Sequence, residues 1–307
     1  MYNIHSLLEK NLENYLINNL PSHAAKDVYL YSLIPAGKLF RPRLVHAMSL
    51  DLTGALFTKN HSLLANAVEI HHAYTLIHDD LPSMDDDNMR RGRESSHIKF
   101  NEWKALLTGD GLLNLSFQAL SEIDHPNSMK IINLFSRLLG PNGLIHGQYL
   151  DLSEEMNDSI NKLVETHILK TARLIQVCLV SSYLLEEEEK SLSKYLALFK
   201  LGHYIGLTFQ LLDDLGELCE AEIGQHEQAV NPWKSYNKEP MKLLIKSLKN
   251  INRIINNYEL KELNKYLQSY FLKTSKKLKD GEENIQLHTE LELMPIVSML
   301  NVLGHSN

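Results

Sequence analysis

Cysteine, long apolar runs and clustered positive charge are all scarce in this sequence, and each absence excludes a class of protein. Two cysteines in 307 residues are too few for a disulfide-held scaffold, and their spacing does not fit a zinc site. We expect buried free thiols at Cys178 and Cys219 and a reducing compartment. No stretch reaches the ~18 to 20 apolar residues of a membrane span, so stable membrane insertion is not predicted.

Positive charge is also sparse relative to negative charge. The 31 Lys and Arg against 38 Asp and Glu give a formal net charge of −7, which argues against general electrostatic binding to nucleic acid. The first residues, MYNIHSLLEKNLENYL, lack the basic and then apolar order of a secretion signal. The sequence predicts a cytoplasmic protein that meets any anionic partner with a local basic cluster.

Alternating β-branched runs are few, and apolar residues instead recur at intervals of three and four. That period is typical of amphipathic α-helices, as in HSLLANAVEIHHAYTLIHDD and SLSKYLALFKLGHYIGLTFQLLDD. Breaks such as GPNG end helices but are too short to link domains. We predict an all-α fold, a single-domain helical bundle of residues 1–307 around a central cavity.

One short stretch, LIHDDLPSMDDDNMRRG, concentrates charge of both signs. Asp79 and Asp80 end a helical pattern, and Asp85 follows the PSM turn. Crowded carboxylates repel one another by about 1 kcal/mol per pair at 4 Å in water, and more where water is scarce. Mg²⁺ relieves such crowding because it takes hard oxygen ligands together with substrate phosphates. Arg90 and Arg91 add planar forks for phosphate, which indicates a diphosphate site; the alternative is a surface loop neutralised by its own arginines.

A second acidic helix end, GLTFQLLDDLGE, carries Asp213, Asp214 and Glu217. Asp213 and Glu217 are four residues apart and share a helix face. Two such ends facing each other across a cavity can hold Mg²⁺ on both sides of one diphosphate and cancel the charge that a departing pyrophosphate develops. Further candidate phosphate ligands are Lys38 and Arg41 in GKLFRP, and Lys170 and Thr171 in LKTAR.

These motifs together resemble the trans-isoprenyl diphosphate synthases, and the sequence is similar to bacterial farnesyl diphosphate synthases over nearly its whole length. The family motif DDxxxxD followed by RRG is matched by Asp79, Asp80, Asp85, Arg90, Arg91 and Gly92. Other landmarks occur in the family order: Gly37, Lys38 and Arg41 with Pro42; His72 in IHHAY; LLTGDGLL; GQYLDL; Lys170 with Thr171; and Gln210 in FQ. The resemblance implies a prenyltransferase that uses Mg²⁺ and forms a homodimer.

The resemblance divides the candidate residues between two substrates. It implies three Mg²⁺ ions at the two acidic motifs, with the ligands Asp79, Asp80, Asp85, Asp213, Asp214 and Glu217. It assigns binding of the allylic diphosphate to Arg90 and to three residues with a catalytic role, Lys170, Thr171 and Gln210. It assigns binding of isopentenyl diphosphate, which carries no metal, to Gly37, Lys38, Arg41, His72 and Arg91. The implied condensation needs no side-chain nucleophile.

The resemblance also bears on product length. Tyr74 lies five residues before Asp79 and Thr75 four before, so Tyr74 sits a turn or more deeper along the helix that ends there. Bacterial farnesyl synthases with a two-residue insertion, here Leu81 and Pro82, commonly carry an aromatic at this position. We therefore expect Tyr74, with Thr75, to set a fifteen-carbon product; plain core packing is the alternative for Tyr74.

Two departures from the family pattern leave alternatives open. The second motif ends in Glu217 where the family has Asp, and no Lys or Arg lies between Asp213 and Lys234, where the family has a lysine for the allylic diphosphate. Lys234 entering the site from another loop is one explanation. The alternatives to a farnesyl synthase are a geranylgeranyl-length synthase and a non-catalytic regulatory subunit of a heteromeric synthase. A class I terpene cyclase is disfavoured because it would not use a second diphosphate site.

Overall fold

Helices account for nearly all regular structure in the part of the chain that is described. The structure, a computed structural model, describes residues 3–54, 57–186, 191–220, 231–236 and 238–305. Within these ranges the only strands are two of two residues each, which confirms the all-α prediction. The chain divides into two compact units, residues 1–134 with 181–187 and residues 135–180 with 188–307. The single domain over 1–307 stays a prediction.

The first unit consists of helices and one β-hairpin. Its elements are α1 (Ile4–Asn19), α2 (Ala25–Leu33), α3 (Phe40–Thr53), α4 (Lys59–Asp79), β1 (Met89–Arg90), β2 (Arg93–Glu94), α5 (Ser96–Phe100) and α6 (Glu102–Ser121). Helix α7 (Ser128–Leu139) begins in this unit and ends in the second.

The second unit is built from a longer series of helices. They are α8 (Leu144–Leu152), a 3₁₀ turn (Glu155–Asp158), α9 (Ile160–His167), a π-helical turn (Ile168–Ala172), α10 (Arg173–Glu186), α11 (Leu192–Glu217), α12 (Pro232–Ser235), α13 (Glu239–Asn257), α14 (Lys261–Asp280), α15 (Glu282–His288) and α16 (Met294–His305). The last turns of α10 belong to the first unit.

Helix α4 is the central helix of the first unit. It packs against α1, α3 and α6, and residues such as Leu64, Val68 and Ile70 are fully buried. Thr58 caps its start by accepting a hydrogen bond from the His61 N–H, as N-cap residues do. The helix ends at Asp79, three residues before Pro82, because proline disfavours helical backbone in the residue before it. A buried helix therefore delivers the first aspartates at its carboxyl end.

The π-helical turn places Lys170 and Thr171 in the second unit. Such turns are rare, and those that do occur often lie at functional sites. Two glycines pack directly on its backbone. A Cβ on Gly147 of α8 would lie 2.5 Å from the backbone nitrogen of Lys170, and a Cβ on Gly206 of α11 would overlap Ala172. Close packing of α8 and α11 thus fixes the turn that carries these two candidate residues.

The continuous helical run at residues 160–186 is long and apolar enough to cross a membrane by length and composition, with a mean hydropathy of 1.4. The sequence did not lead us to expect such a run. Because 83% of its most apolar window is buried inside the protein, it has the character of a core helix. The expectation of buried thiols holds for Cys178 and is wrong for Cys219, which is partly exposed.

We predict that Gly206→Ala destabilises the protein, because the added methyl must displace the backbone of Ala172. Overpacking of this kind costs about 1–3 kcal/mol. The matched control is Gly216→Ala on the same helix, where a Cβ would meet only the flexible end of Lys277 at 3.2 Å. Urea unfolding should show the loss for Gly206→Ala alone; equal unfolding free energies for both variants would contradict the packing described.

Candidate functional site

The first acidic motif forms one tight turn at the end of α4. The Asp85 N–H donates to the Asp79 carbonyl at 2.9 Å, so the chain folds back and returns Asp85 to the helix end. The exposure of the three aspartates differs: Asp80 is buried, Asp79 is half-buried and Asp85 is exposed. The turn therefore offers the Asp79 and Asp85 carboxylates to a ligand more readily than that of Asp80.

Arg90 neutralises the buried member of this turn. Its Nε–H donates to Asp80 Oδ1 at 2.8 Å, its Nη2 contacts the same carboxylate, and Nη2 also donates to Asp87 at 2.9 Å. Burial raises the pKa of Asp80, and the hydrogen bonds from Arg90 oppose that rise. Arg90 is thus paired with the motif's own acids, as the surface-loop alternative supposed, although Asp80 is only 3% exposed.

A β-hairpin sets the position of both arginines. Strands β1 and β2 pair antiparallel, with Arg90 opposite Arg93, and the two turn residues Arg91 and Gly92 have φ values of 54° and 74°. Two consecutive positive φ values are the signature of a type I′ turn, which matches the twist of paired strands. The glycine of the RRG motif therefore serves the turn, and the turn directs Arg91 away from Arg90.

Arg91 joins a second, basic cluster built around a buried acid. Its Nη2 lies 3.9 Å from Glu69 Oε1, and its Cζ lies 2.7 Å from the position that a Cβ on Gly37 would take. Burial raises the pKa of Glu69, while Arg91 and Arg41 oppose the rise. The structure thus brings together Gly37, Arg41 and Arg91, which the sequence had grouped.

His72 belongs to the same basic cluster. Burial lowers its pKa well below the usual range, and the charges of Arg41 and Arg91 lower it further. The imidazole is therefore neutral near pH 7 and presents one N–H donor and one acceptor. Lys38, in the turn before α3, is exposed.

In the second unit, hydrogen bonds link the candidate residues of the π-helical turn to the second acidic motif. Thr171 Oγ1 donates to Gln210 Oε1 at 3.0 Å, and Gln210 Nε2 donates to Asp214 Oδ1 at 2.8 Å. Asp214 is buried, whereas Asp213 is exposed and Glu217 half-buried. Asp214 consequently anchors the helix end, and Asp213 and Glu217 are the carboxylates that reach outward.

The chain segment after α11 supports this helix end. Asn231 Nδ2 donates to the Asp214 carbonyl at 2.7 Å and to Glu217 Oε2 at 3.4 Å, and the Trp233 indole donates to the Leu211 carbonyl. Residues 221–230 lie outside the described part of the chain. Lys234 is exposed on α12, and its entry into the site stays a prediction. A different lysine, Lys277, has its ammonium 3.2 Å from where a Cβ on Gly216 would stand.

Several contributing residues were missed by the sequence reasoning. Lys170 binds Asp151 of the GQYLDL motif, His167 Nε2 lies 3.2 Å from Asp214 Oδ2, and Glu69 pairs with Arg91. Helical spacing gave a usable signal for Glu69, three residues before His72 and so on the same face. The partners of Lys170 and Asp214 come from other helices and left no local signal.

Tyr74 is buried at the α4 face that meets α6. Its ring stands edge-on to His71 at 4.6 Å and to His78 at 5.6 Å between ring centroids. His78 in turn occupies the space that Gly109 of α6 leaves by having no side chain. Core packing of Tyr74 is therefore observed; its role in chain length, with that of Thr75, stays a prediction.

The donor sets of the acidic motifs suit a hard divalent cation. Among the residues that the structure describes, no three His, Cys, Asp or Glu side chains form a group that could hold a metal ion. The carboxylate oxygens of half-buried Asp79 and exposed Asp85 nonetheless match Mg²⁺, which takes only one or two carboxylates and completes its shell with water and phosphate oxygens. These residues fit Mg²⁺ shared with a diphosphate better than a metal held by protein alone.

Comparison with known proteins agrees with this chemistry. Residues 22–229 match the polyprenyl synthetase family. The chain is 36% identical over 234 residues to a farnesyl diphosphate synthase of Haemophilus influenzae, covering 72% of this chain and 76% of that one. It is 38% identical over 190 residues to that of Micrococcus luteus, covering 60% of this chain and 63% of the relative.

A solved structure resembles the fold as well. The Helicobacter pylori geranyltransferase complexed with magnesium and isoprenyl diphosphate aligns with a TM-score of 0.70 at 26% identity. The alignment covers 88% of this chain and 99% of that one. The all-α architecture is therefore shared over most of both chains.

We predict that Arg90→Leu destabilises the protein at neutral pH, because it leaves the Asp80 carboxylate buried without its partner. Breaking a fully buried pair costs about 3–5 kcal/mol; since Arg90 is one-third exposed (34%), we expect about 1–3 kcal/mol. Lys99→Leu, which breaks an exposed pair with Glu94, should cost less than about 1 kcal/mol. Urea unfolding at pH 7 measures both; equal losses would contradict the role given to Arg90.

Proposed function

Because the chain belongs to the polyprenyl synthetase family, we propose that it is a short-chain prenyltransferase that condenses isopentenyl diphosphate with dimethylallyl or geranyl diphosphate to farnesyl diphosphate. One observation carries the proposal: α4 presents an acidic turn and a basic cluster along one helix. Asp79 and His72 are seven residues apart, which is two turns and about 10 Å along a helix. A metal-bound diphosphate and a metal-free diphosphate are the pair of ligands that suits such a helix.

The proposed metal is Mg²⁺, as in the complexed relative. Asp79, Asp80 and Asp85 of the first motif would hold it, with Asp213, Asp214 and Glu217 as the ligands proposed for the second, three ions in all. When bound, it supplies positive charge that stabilises the pyrophosphate leaving group. Of these six proposed ligands, Asp80 and Asp214 are buried and also anchor the two helix ends, whereas Asp79, Asp85, Asp213 and Glu217 are more accessible.

The chain's own residues bind and orient the two substrates. Arg41 and Arg91 neutralise the isopentenyl diphosphate, the neutral imidazole of His72 donates a hydrogen bond to it, and Lys38 and Gly37 complete that site. Lys170 and Arg90 are proposed to exchange their carboxylate partners for the allylic diphosphate. Thr171 and Gln210, already hydrogen-bonded to each other, line its reacting end.

The bond changes follow from these positions. The allylic C–O bond breaks and its electron pair leaves with pyrophosphate. The isopentenyl double bond then attacks the allylic carbon, and the proton lost from the new chain passes to the departing pyrophosphate. Orientation and electrostatic stabilisation supply the rate enhancement, so no side-chain nucleophile is needed.

Product length and assembly complete the proposal. The buried ring of Tyr74 is proposed to floor the chain pocket, with Thr75 beside it, which gives a fifteen-carbon product. We also propose a cytoplasmic homodimer. Its support is the exposed apolar face of α6, where Trp103, Leu106 and Leu107 are 61%, 46% and 55% exposed, since apolar faces of this kind mark protein interfaces.

The alternatives differ in what they require of these clusters. A regulatory subunit need not keep a complete acidic turn, and here Asp79, Asp80, Asp85 and their arginine are all present. A terpene cyclase has no use for the basic cluster of Arg41, His72 and Arg91. A geranylgeranyl-length synthase needs the same two clusters and differs only in the pocket.

Product analysis tests the proposal. The purified protein is incubated with Mg²⁺, isopentenyl diphosphate and either dimethylallyl or geranyl diphosphate, and the dephosphorylated products are separated by chromatography. We expect a fifteen-carbon alcohol from both primers. Twenty-carbon alcohols would keep the enzyme class and overturn the product length, whereas no condensation by the folded protein would support a regulatory subunit.

We predict that Asp79→Ala and Asp213→Ala each lower turnover by at least about a hundredfold, because each removes a carboxylate proposed to bind metal, and single groups of such electrostatic sites contribute about 10²–10³. Thermal unfolding should change little, since Asp79 is half-buried and Asp213 exposed. Asp280→Ala, at the exposed end of α14, is the control and should retain wild-type turnover. Near-normal rates in either motif variant would contradict the assignment.

A further inference from the structure

We propose that helix α1 positions the isopentenyl diphosphate site, with His5 and Glu9 acting as positioning residues for the turn at residues 35–38. The inference deepens the proposed function and rests on it. Two hydrogen bonds carry it: the Ala36 N–H donates to Glu9 Oε1 at 2.7 Å, and His5 Nε2 lies 2.8 Å from the Gly37 carbonyl oxygen. Both contacts fall on the backbone of the two residues that precede Lys38.

The need for such positioning comes from Gly37. The guanidinium of Arg91 lies 2.7 Å from the place of its missing Cβ, so a side chain at this position would displace a diphosphate ligand. Glycine, however, has more backbone freedom than any other residue and loses more entropy when it is ordered. The close approach of Arg91 therefore requires glycine at position 37, and the backbone there must be ordered by contacts from elsewhere in the protein.

Helix α1 supplies that order from outside the turn. Its apolar face is buried at Leu8, Leu12 and Leu16, which anchors the helix in the first unit. His5 and Glu9 are four residues apart on the helix, and His5 Nδ1 lies 4.0 Å from Glu9 Oε2. The helix thus presents two oriented polar groups, a donor and an acceptor, to two successive residues of the turn.

The contact with His5 also fixes the direction of a backbone donor. In a trans peptide the C=O and the following N–H point in opposite directions. Because the Gly37 carbonyl accepts from His5, the Lys38 N–H points away from α1. His5 further contributes to the electrostatic environment of Glu69, the acid paired with Arg91. The residues of α1 therefore act on the backbone and on the charge balance of the same cluster.

Three variants separate positioning from general stability. Glu9→Leu removes the acceptor for the Ala36 N–H, Glu9→Gln keeps a side-chain oxygen at the same place, and Glu13→Leu makes the same change one turn along at an exposed position. Isopentenyl diphosphate is titrated into each protein by calorimetry in the presence of EDTA. Steady-state KM values for isopentenyl and geranyl diphosphate are measured in parallel with Mg²⁺, and thermal unfolding is followed for each variant.

We expect Glu9→Leu to weaken isopentenyl diphosphate binding about five- to tenfold, the order of effect for losing one ordinary hydrogen bond. Its KM for isopentenyl diphosphate should rise with the Kd, while the KM for geranyl diphosphate and kcat stay within about twofold. Glu9→Gln should recover most of the affinity, and Glu13→Leu should match wild type.

Equal Kd values for Glu9→Leu and Glu13→Leu would overturn the inference, as would a parallel rise in both KM values, which indicates general loosening of the fold. The wild-type controls separate this result from a failure of the proposed function. Wild-type protein that binds isopentenyl diphosphate without condensing it would contradict the enzyme assignment, and its binding would still be compared with that of the Glu9 variants. His5→Leu removes the other polar contact from α1, the one with the Gly37 carbonyl, and should also raise the Kd for isopentenyl diphosphate.

Discussion

Repulsion among carboxylates at the end of α4 is the constraint on which the rest of the first unit depends. The turn that returns Asp85 to Asp79 crowds negative charge onto a buried helix end, and Arg90 relieves it at the most buried point, Asp80. The hairpin that delivers Arg90 also delivers Arg91 to Glu69. One short segment, β1 to β2, thus balances the acidic turn and builds the basic cluster, which is why DDxxxxD and RRG occur together.

The proposed function assigns two diphosphates of opposite requirement to one helix. Asp79 and Asp85 are the more accessible carboxylates of the acidic turn, and a diphosphate would bind beside them only through a cation. Arg41 and Arg91 lie near the one buried acid Glu69, and with the neutral His72 they form a basic set that would bind a diphosphate directly. The second unit shows a similar arrangement at the end of α11. Asp214 is buried and accepts a hydrogen bond from Gln210, whereas Asp213 is exposed and Glu217 is half-buried.

The sequence was informative where the chemistry is local. The helical period predicted α4 and α11, and the spacing of Asp79, Asp80, Asp85 and the arginines predicted an acidic turn beside cations, because each of these depends on residues within a few turns. It did not show that Arg90 pairs with Asp80, since that requires the type I′ turn. Nor did it show the contacts of His5 with Gly37, 32 residues apart, or of Lys170 with Asp151, since these depend on how separate helices pack.

The central claim, a metal-dependent site at one end of α4 and a metal-free site two turns away, is tested most directly by calorimetric titration of each substrate alone. Geranyl diphosphate and isopentenyl diphosphate are titrated separately into the wild-type protein with Mg²⁺ and again with EDTA. We predict that chelation abolishes measurable binding of geranyl diphosphate and leaves the Kd of isopentenyl diphosphate unchanged. Equal dependence of both substrates on Mg²⁺, or of neither, would contradict the account.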